Sequence, residues 1–181
     1  MMNLKVFQNS EFDRGAGKWV EVAWYICRSL LFASWFPVPS GLKTACLRWF
    51  GAKIGRGVVI RSRVNITFPW KLTIGDHAWI GDEVFILSLD HVTIGSNVCI
   101  SQRAFLCTGS HEFSKPTFDL ITRPIVIEDG CWIGAQSFIG PGVRFGVSSR
   151  SLAGSVVIQE VLSNTTVGGV PAVAKSLKLL S

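Results

Sequence analysis

A chain of 181 residues, 48% hydrophobic and 17% charged, has the material for one folded domain plus a modest appendage, and this excludes a disordered polypeptide. The formal charge of +6 fits an anionic partner such as a phosphorylated cofactor or an acidic membrane surface, but no run of Lys and Arg stands out, which sets nucleic-acid binding aside. Five cysteines, an odd number with no Cys-x-x-Cys pair, read as free thiols of a cytoplasmic protein, neither a disulfide framework nor a zinc site.

Residues 1–14 are polar and mixed in charge and lack the apolar core of a signal peptide. Lys18 to Phe36 reads as an apolar helix that carries Glu21 and Arg28 and is ended by Pro37 and Pro39. It is borderline for a bilayer span, which needs roughly 20 apolar residues. Ser40 is placed to N-cap a second helix that ends near Gly51. Trp19, Trp24, Trp35 and Phe36 make the first helix unusually aromatic. One reading of residues 1–51 is a cap over the open end of a solenoid. Another is contact of residues 19–36 with a membrane surface. The sequence leaves both open.

From Ile54 onward the aliphatic residues recur in steps of six: Ile54, Ile60, Ile66; Ile74, Ile80, Ile86; Ile94, Ile100, Leu106; then Ile127, Ile133, Ile139, Phe145. Many are followed by Gly, and four residues after most of them comes a small or β-branched residue such as Val58, Ala78, Val98 or Ser137. A helix of 3.6 residues per turn would smear these isoleucines over every side. The pattern fits coils of three short strands, each six-residue unit giving one strand and one corner, with the aliphatic residue inside and Gly easing the backbone at the corner. Residues 52–174 form this repeat domain and 175–181 a short tail. Two features break the rhythm. Residues 108–124 contain no repeat and read as an external loop, and long loops on rigid scaffolds are usually functional. At Ser151 the step of six meets a polar residue, so either a serine points inward or the coil slips to bring in Leu152.

Three stretches carry a family resemblance. They are Phe50-Gly51-Ala52-Lys53-Ile54-Gly55; Cys99-Ile100-Ser101-Gln102 with Leu106 to His111 and Pro116 to Leu120; and Ile127 to Ala135 with Gly154-Ser155-Val156-Val157 and Gly169-Val170-Pro171-Ala172. Together they resemble the hexapeptide-repeat acyltransferases, nearest to the O-acetyltransferases of exopolysaccharide synthesis of the colanic-acid type. The resemblance implies a mainly β, left-handed parallel β-helix. It also implies a homotrimer with active sites in grooves between neighbouring copies, acetyl-CoA as acyl donor, a saccharide hydroxyl as acceptor, and His111 as the catalytic histidine.

An alcohol attacking a thioester needs a base, and imidazole, with an ordinary pKa of about 6.5, suits the task. His111 would take the hydroxyl proton and return it to the departing thiol, with backbone N–H groups stabilising the oxyanion. Its second nitrogen needs an orienting acceptor. Glu112, Asp119 and Glu128 are candidates, and Asp119 leads because it matches the family pattern. Glu83, standing where relatives commonly carry Asn, and Glu112 are the candidate acceptor contacts. For acetyl-CoA the candidates are Trp132 as a wall, the backbone of Gly134 and Ala135, Ala153-Gly154 and Pro171-Ala172, with Arg150, Lys175 and Lys178 for the phosphates. Relatives often have Lys where this chain has Gln159. His77 and His91, spaced 14 and 20 residues from each other and His111, lack the close pair of the β-helical carbonic anhydrases, so no metal is expected. Two rival readings share the fold: a small-molecule acetyltransferase acting on serine, a free sugar or an antibiotic, and a β-helix scaffold without turnover.

Overall fold

The computed structural model describes residues 4–7, 9, 12–34 and 36–176. Trp35, Lys178 and most of the tail lie outside them. The repeat region winds as a three-sided parallel β-solenoid with one sheet per side. The first face carries Lys53–Ile54, Leu72–Ile74, Val92–Ile94, Ile125–Ile127 and Arg144–Phe145; the second, Val59–Ile60, Trp79–Ile80, Cys99–Ile100, Trp132–Ile133, Arg150–Ser151 and Thr166–Gly169; the third, Asn65–Ile66, Phe85–Leu87, Phe105–Cys107, Phe138–Ile139 and Val156–Val157. Ala172–Ala174 closes the second face as an antiparallel strand on Thr166–Gly169.

The six-residue step is the inward column. Ile60, Ile80, Ile100, Ile133, Ser151 and Val167 stand in register along the second face. Ile66, Ile86, Leu106, Ile139 and Val157 do so along the third. These side chains are buried and form one continuous core that reaches from Trp24 in the first helix to Val167. Each fully buried Ile stabilises the fold by roughly 1.5–3 kcal/mol. The small residues of the second series, Val58, Ala78, Ala104 and Ser137 among them, fill the corners.

Ser151 keeps the register and the coil does not slip. The serine is buried, its hydroxyl accepting from Gly134 N at 3.1 Å and lying 3.2 Å from Ser137 Oγ, while Leu152 stays on the outside. A buried hydroxyl is tolerated because it is hydrogen-bonded.

The repeat glycines serve a different purpose from the one expected. Five of the left-handed corner positions are occupied by His77, Glu83, Asn97, Arg103 and Gln136, with φ of 55–60°, and others by Gly57, Gly130, Gly142 and Gly154, none of which follows an inward aliphatic residue. Gly55, Gly75, Gly81, Gly95 and Gly134 are not left-handed; a Cβ on any of them would stand 2.3–2.8 Å from an atom of the next coil. Close coil-to-coil approach is what demands them.

Two helices close the solenoid's first end, α1 (Lys18–Leu31) and α2 (Ser40–Trp49). α1 stops five residues before Phe36: the N–H groups of Phe32 and Ala33 both turn back to Arg28 O. Ser40 is not a side-chain cap; its hydroxyl is engaged with the N–H and C=O of Ile60. The first coil has strand carbonyls with no coil above them, and side chains of the helices meet them. Arg48 donates to Ile54 O and Gly55 O, Lys43 Nζ to Arg61 O at 2.6 Å, and the Trp24 indole N–H to Ile66 O and Thr67 O. Buried carbonyls left unmet would each cost roughly 1–3 kcal/mol.

At the corner after Phe105–Cys107 the chain leaves the third coil at Thr108 and rejoins at Arg123, whose N–H donates to Thr108 O at 2.9 Å. The excursion is an ordered hairpin, not an irregular loop: Gly109–His111 pairs antiparallel with Leu120–Thr122, His111 opposite Leu120.

Candidate active site

His111 ends the outgoing strand of this hairpin. Its Nδ1 lies 2.9 Å from the carbonyl oxygen of Phe118. A carbonyl only accepts, so Nδ1 is the donor, and in the neutral ring Nε2 is then the nitrogen with the lone pair, the arrangement a general base needs. The Phe118 ring stacks on the imidazole at 4.2 Å with planes 2° apart, and Phe7 sits at 5.8 Å. Phe118 itself is left-handed, φ 52°, an uncommon conformation for an aromatic residue that turns its carbonyl onto His111.

Asp119 therefore does not orient the base. Its carboxylate bonds Lys115 Nζ at 3.0 Å, and Lys115 with Thr117 holds it below the usual carboxylate range. Phe118 O, one residue earlier, takes the role, a backbone group that composition cannot advertise. Glu128 lies at another corner, paired with Arg144 and accepting from Val147 N. Glu112 accepts from Ser114, which lowers its pKa.

Beside the hairpin lies a cavity of about 980 Å³ between it, the N-terminal segment and the neighbouring coil corners. Asp13, Lys71, Asp90, His91, Glu112 and Asp119 supply its polar wall, and Leu120, the pairing partner of His111, is also part of it. Glu83 is not there: it sits at the corner between the second and third faces, bridging Arg63 at 2.9 Å and Arg103 at 2.8 Å.

That same corner, further along the solenoid, holds a second groove of about 360 Å³. The sequence-derived residues Trp132, Gly134, Ala135, Arg150 and Ala153 line it together with Ser101, Gln102, Ser151 and Leu152. Trp132 is held by its indole N–H on Ser101 Oγ at 2.8 Å. Trp132 and Leu152 stand exposed beside Ala135 and Ala153, whereas Gly134 is buried, its N–H on Ser151 and its C=O accepting from Ser137 N. Arg150 stands at one end, its Nε on Thr166 Oγ1 at 2.7 Å, and Lys175 follows through its N–H on Thr166 O at 2.8 Å. Gly154 is the left-handed corner residue beside Ala153, Pro171 lies in the exposed terminal turn, and Lys175 is placed only by its backbone bond to Thr166; none of the three lines the groove. Ser101, Gln102 and Leu152 were readable in principle, since they occupy the corner register of Gly134 and Ala135 one coil away on either side.

The two halves occupy different corners of the prism. The groove lies before the strand Phe105–Cys107 and His111 after it. Between the turn at Gln102–Arg103 and the base of the hairpin only Ala104 to Thr108 is extended, a span of roughly 13 Å, with the strand Gly109–His111 beyond it. The outward side of that third face is an aromatic ladder: Phe85 and Phe105 stack at 4.8 Å, and Phe105 meets Phe138 edge-on at 5.5 Å.

Scanned against models of protein families, the chain matches none. Against curated proteins it is 41% identical over 174 residues to the Escherichia coli protein named as a colanic acid biosynthesis acetyltransferase, WcaF, covering 96% of this chain and 95% of that one. The chain belongs to the hexapeptide-repeat acetyltransferases. A more distant member, galactoside O-acetyltransferase of E. coli, is 28% identical over 66% of this chain and 61% of its own length. Among solved structures, the Vibrio cholerae hexapeptide-repeat acetyltransferase VCA0836 complexed with acetyl-coenzyme A superposes with a TM-score of 0.81 at 29% identity, covering 96% of this chain and 97% of that one. The fold and the acetyltransferase assignment expected from the repeats thus stand on independent likenesses. Among the described residues of this acetyltransferase no group of three or more His, Cys, Asp or Glu side chains is placed to hold a metal ion.

Proposed function

We propose that the protein transfers an acetyl group from acetyl-CoA to a sugar hydroxyl of an exopolysaccharide precursor, and that its site is completed between copies of the chain. The observation that carries this reading is the separation of the imidazole from the donor groove by one full face of the prism. A donor in the groove of one copy meets the His111 of its neighbour if the aromatic third face is the contact between them. A ring of three such copies closes with three identical sites.

In that arrangement the groove residues hold the pantetheine arm between Trp132 and Leu152, and Arg150 and Lys175 attend to the phosphates. The acceptor lies in the cavity beside the hairpin, where four carboxylates (Asp13, Asp90, Glu112 and Asp119) accept hydrogen bonds from several hydroxyls at once, a wall suited to a polyol. His111 Nε2 takes the proton of the attacking hydroxyl as its oxygen forms a bond to the thioester carbonyl carbon. The carbon–sulfur bond then breaks, and the proton passes from Nε2 to the thiolate, giving the acetyl ester and the free thiol of CoA. Throughout, the Phe118 carbonyl steadies the imidazolium through Nδ1–H.

Thiol release with a panel of sugars, measured for the parent and His111→Ala, tests the chemistry: a loss of 10²–10⁴ in kcat is expected. Activity within tenfold of the parent would remove His111 as the base. Mixing unfolded His111→Ala and Trp132→Asp chains and refolding them together tests the shared site. Recovery of roughly a quarter of parental activity is expected for random mixing in a ring, and no recovery would place the whole site in one chain.

A further inference from the structure

Both cap helices turn polar residues toward the coils, with Lys18, Ser29 and Arg48 left exposed. Glu21, Lys43 and Thr44 are buried against the coils, with Glu21 paired to Arg14 at 2.6 Å. The outward sides are mainly apolar. On α1, Trp19, Val22, Ile26 and Leu30 follow one another at helical spacing opposite the buried Trp24, and Trp19 is 87% and Leu30 66% exposed. On α2, Leu42 and Trp49 do the same, Trp49 at 81%. A helix apolar on both sides belongs against a second apolar medium, and a contiguous exposed patch of this kind marks a docking surface.

Charge says which medium. Residues 14–63 contain nine basic residues and one acidic residue, a formal +8 against +6 for the whole chain. Lys43 is buried and Arg14, Arg61 and Arg63 are paired with Glu21, Asp82 and Glu83, which leaves Lys18, Arg28, Arg48, Lys53 and Arg56 as the cations of this end with no carboxylate ion-pair partner among the described residues. The apolar end is also the cationic pole of the molecule. Two such poles repel each other, which disfavours a second copy as the occupant. Basic residues around an apolar, tryptophan-bearing helix are the composition of a segment that lies in the plane of an anionic bilayer. No helix among the described residues is long and apolar enough to cross one.

We infer that the capped end docks on an anionic lipid surface, with the outer side of α1 and the edge of α2 lying in the headgroup layer. The docked solenoid stands on its cap, and the hairpin and donor groove are carried at the third coil and beyond, clear of the lipid.

Co-sedimentation with vesicles of phosphatidylcholine containing a third phosphatidylglycerol tests this without reading turnover, so its outcome is separate from that of the reaction above. The full chain is expected to bind these vesicles at least tenfold more tightly than vesicles of phosphatidylcholine alone. Binding should weaken as salt rises. The double variant Trp19→Ser/Ile26→Ser, altered only on the exposed side, should lose at least tenfold in binding and keep the parent's melting temperature and its acetyl transfer to a soluble sugar. Three results would overturn the inference: no binding to anionic vesicles at low salt, undiminished binding by a folded double variant, or lipid-free particles of twice the parental mass that the double substitution returns to the smaller size.

Discussion

Two glycines at the donor groove make a controlled pair. At Gly134 an added Cβ would meet Ala153 N, the Leu152 carbonyl carbon and Ser151 O, each at 2.6 Å, all backbone of the next coil. None of these atoms can swing aside, so Gly134→Ala must spread the two coils by several tenths of an ångström. It must also strain the two bonds that Gly134 N gives to Ser151 O and Oγ, both 3.1 Å. Overpacking of this kind costs about 1–3 kcal/mol, a fall of roughly 3–10 °C in Tm for a chain of this size. The spreading also parts the groove, whose walls come from both coils, and a displacement approaching 1 Å can cost about a hundredfold in rate. At Gly154 the added methyl would have nothing within 4 Å, and only the φ of +69° is unfavourable. Gly154→Ala should therefore cost about 1 kcal/mol, or 2–4 °C, with KM for acetyl-CoA unchanged within twofold. Differential scanning calorimetry and steady-state thiol release on both variants give the answer. If Gly134→Ala melts and binds acetyl-CoA like Gly154→Ala, neither the coil-contact role of the repeat glycines nor the assignment of this groove to the donor survives.

Ile100→Ala removes three carbons from a wholly buried site with Ile80 and Ile133 in register above and below, a loss of about 3–4 kcal/mol read by urea unfolding. The half-buried Ile54 at the rim should cost about half as much. Phe118→Gly relieves the left-handed backbone but removes the stacked ring, so stability should stay within about 1 kcal/mol while kcat falls several-fold and KM for acetyl-CoA does not move. The Arg14 guanidinium, by hydrogen bond and charge, lowers the Glu21 pKa against an opposing push from burial. A depressed folded pKa means the stabilisation is complete above the unfolded value of about 4.3 and is lost as pH falls through the folded one. Thermal unfolding from pH 6 to pH 2 should thus show a shallower acid decline for Glu21→Gln than for the parent.

The architecture was legible because burial in a solenoid follows a strict period: once Ile54, Ile60 and Ile66 are read as one set, every later inward position is a matter of counting. Ser151, left open in the sequence between an inward serine and a slip to Leu152, keeps the register. Polar contacts were less legible. Asp119 was favoured as the partner of His111 because it matches the family pattern, yet the acceptor is the Phe118 carbonyl, set by a φ that residue type argues against. Glu83 carries the charge of an acceptor contact but stands one repeat from two arginines, Arg63 and Arg103, which claim it. The repeat glycines gave a correct pattern for an incorrect reason, since the space between coils is a property of two segments 20 or more residues apart. Trp132, Gly134, Ala135, Arg150 and Ala153, singled out in the sequence, do fall along one groove, because they inherit their places from the same periodicity as the core.

The excursion between Thr108 and Arg123 leaves and re-enters the solenoid across a single hydrogen bond, so its length and content are uncoupled from the winding of the coils. His111, Glu112 and Asp119 are carried by that insert, while Asp13, Lys71, Asp90 and His91 of the cavity beside it, and the groove beside Trp132, belong to the N-terminal segment and the coils. Under the proposed assignment, exchange or resizing of about fifteen residues alters one side of the acceptor wall and leaves the donor groove untouched. Transplanting the hairpin between family members is the direct way to move specificity from one sugar to another.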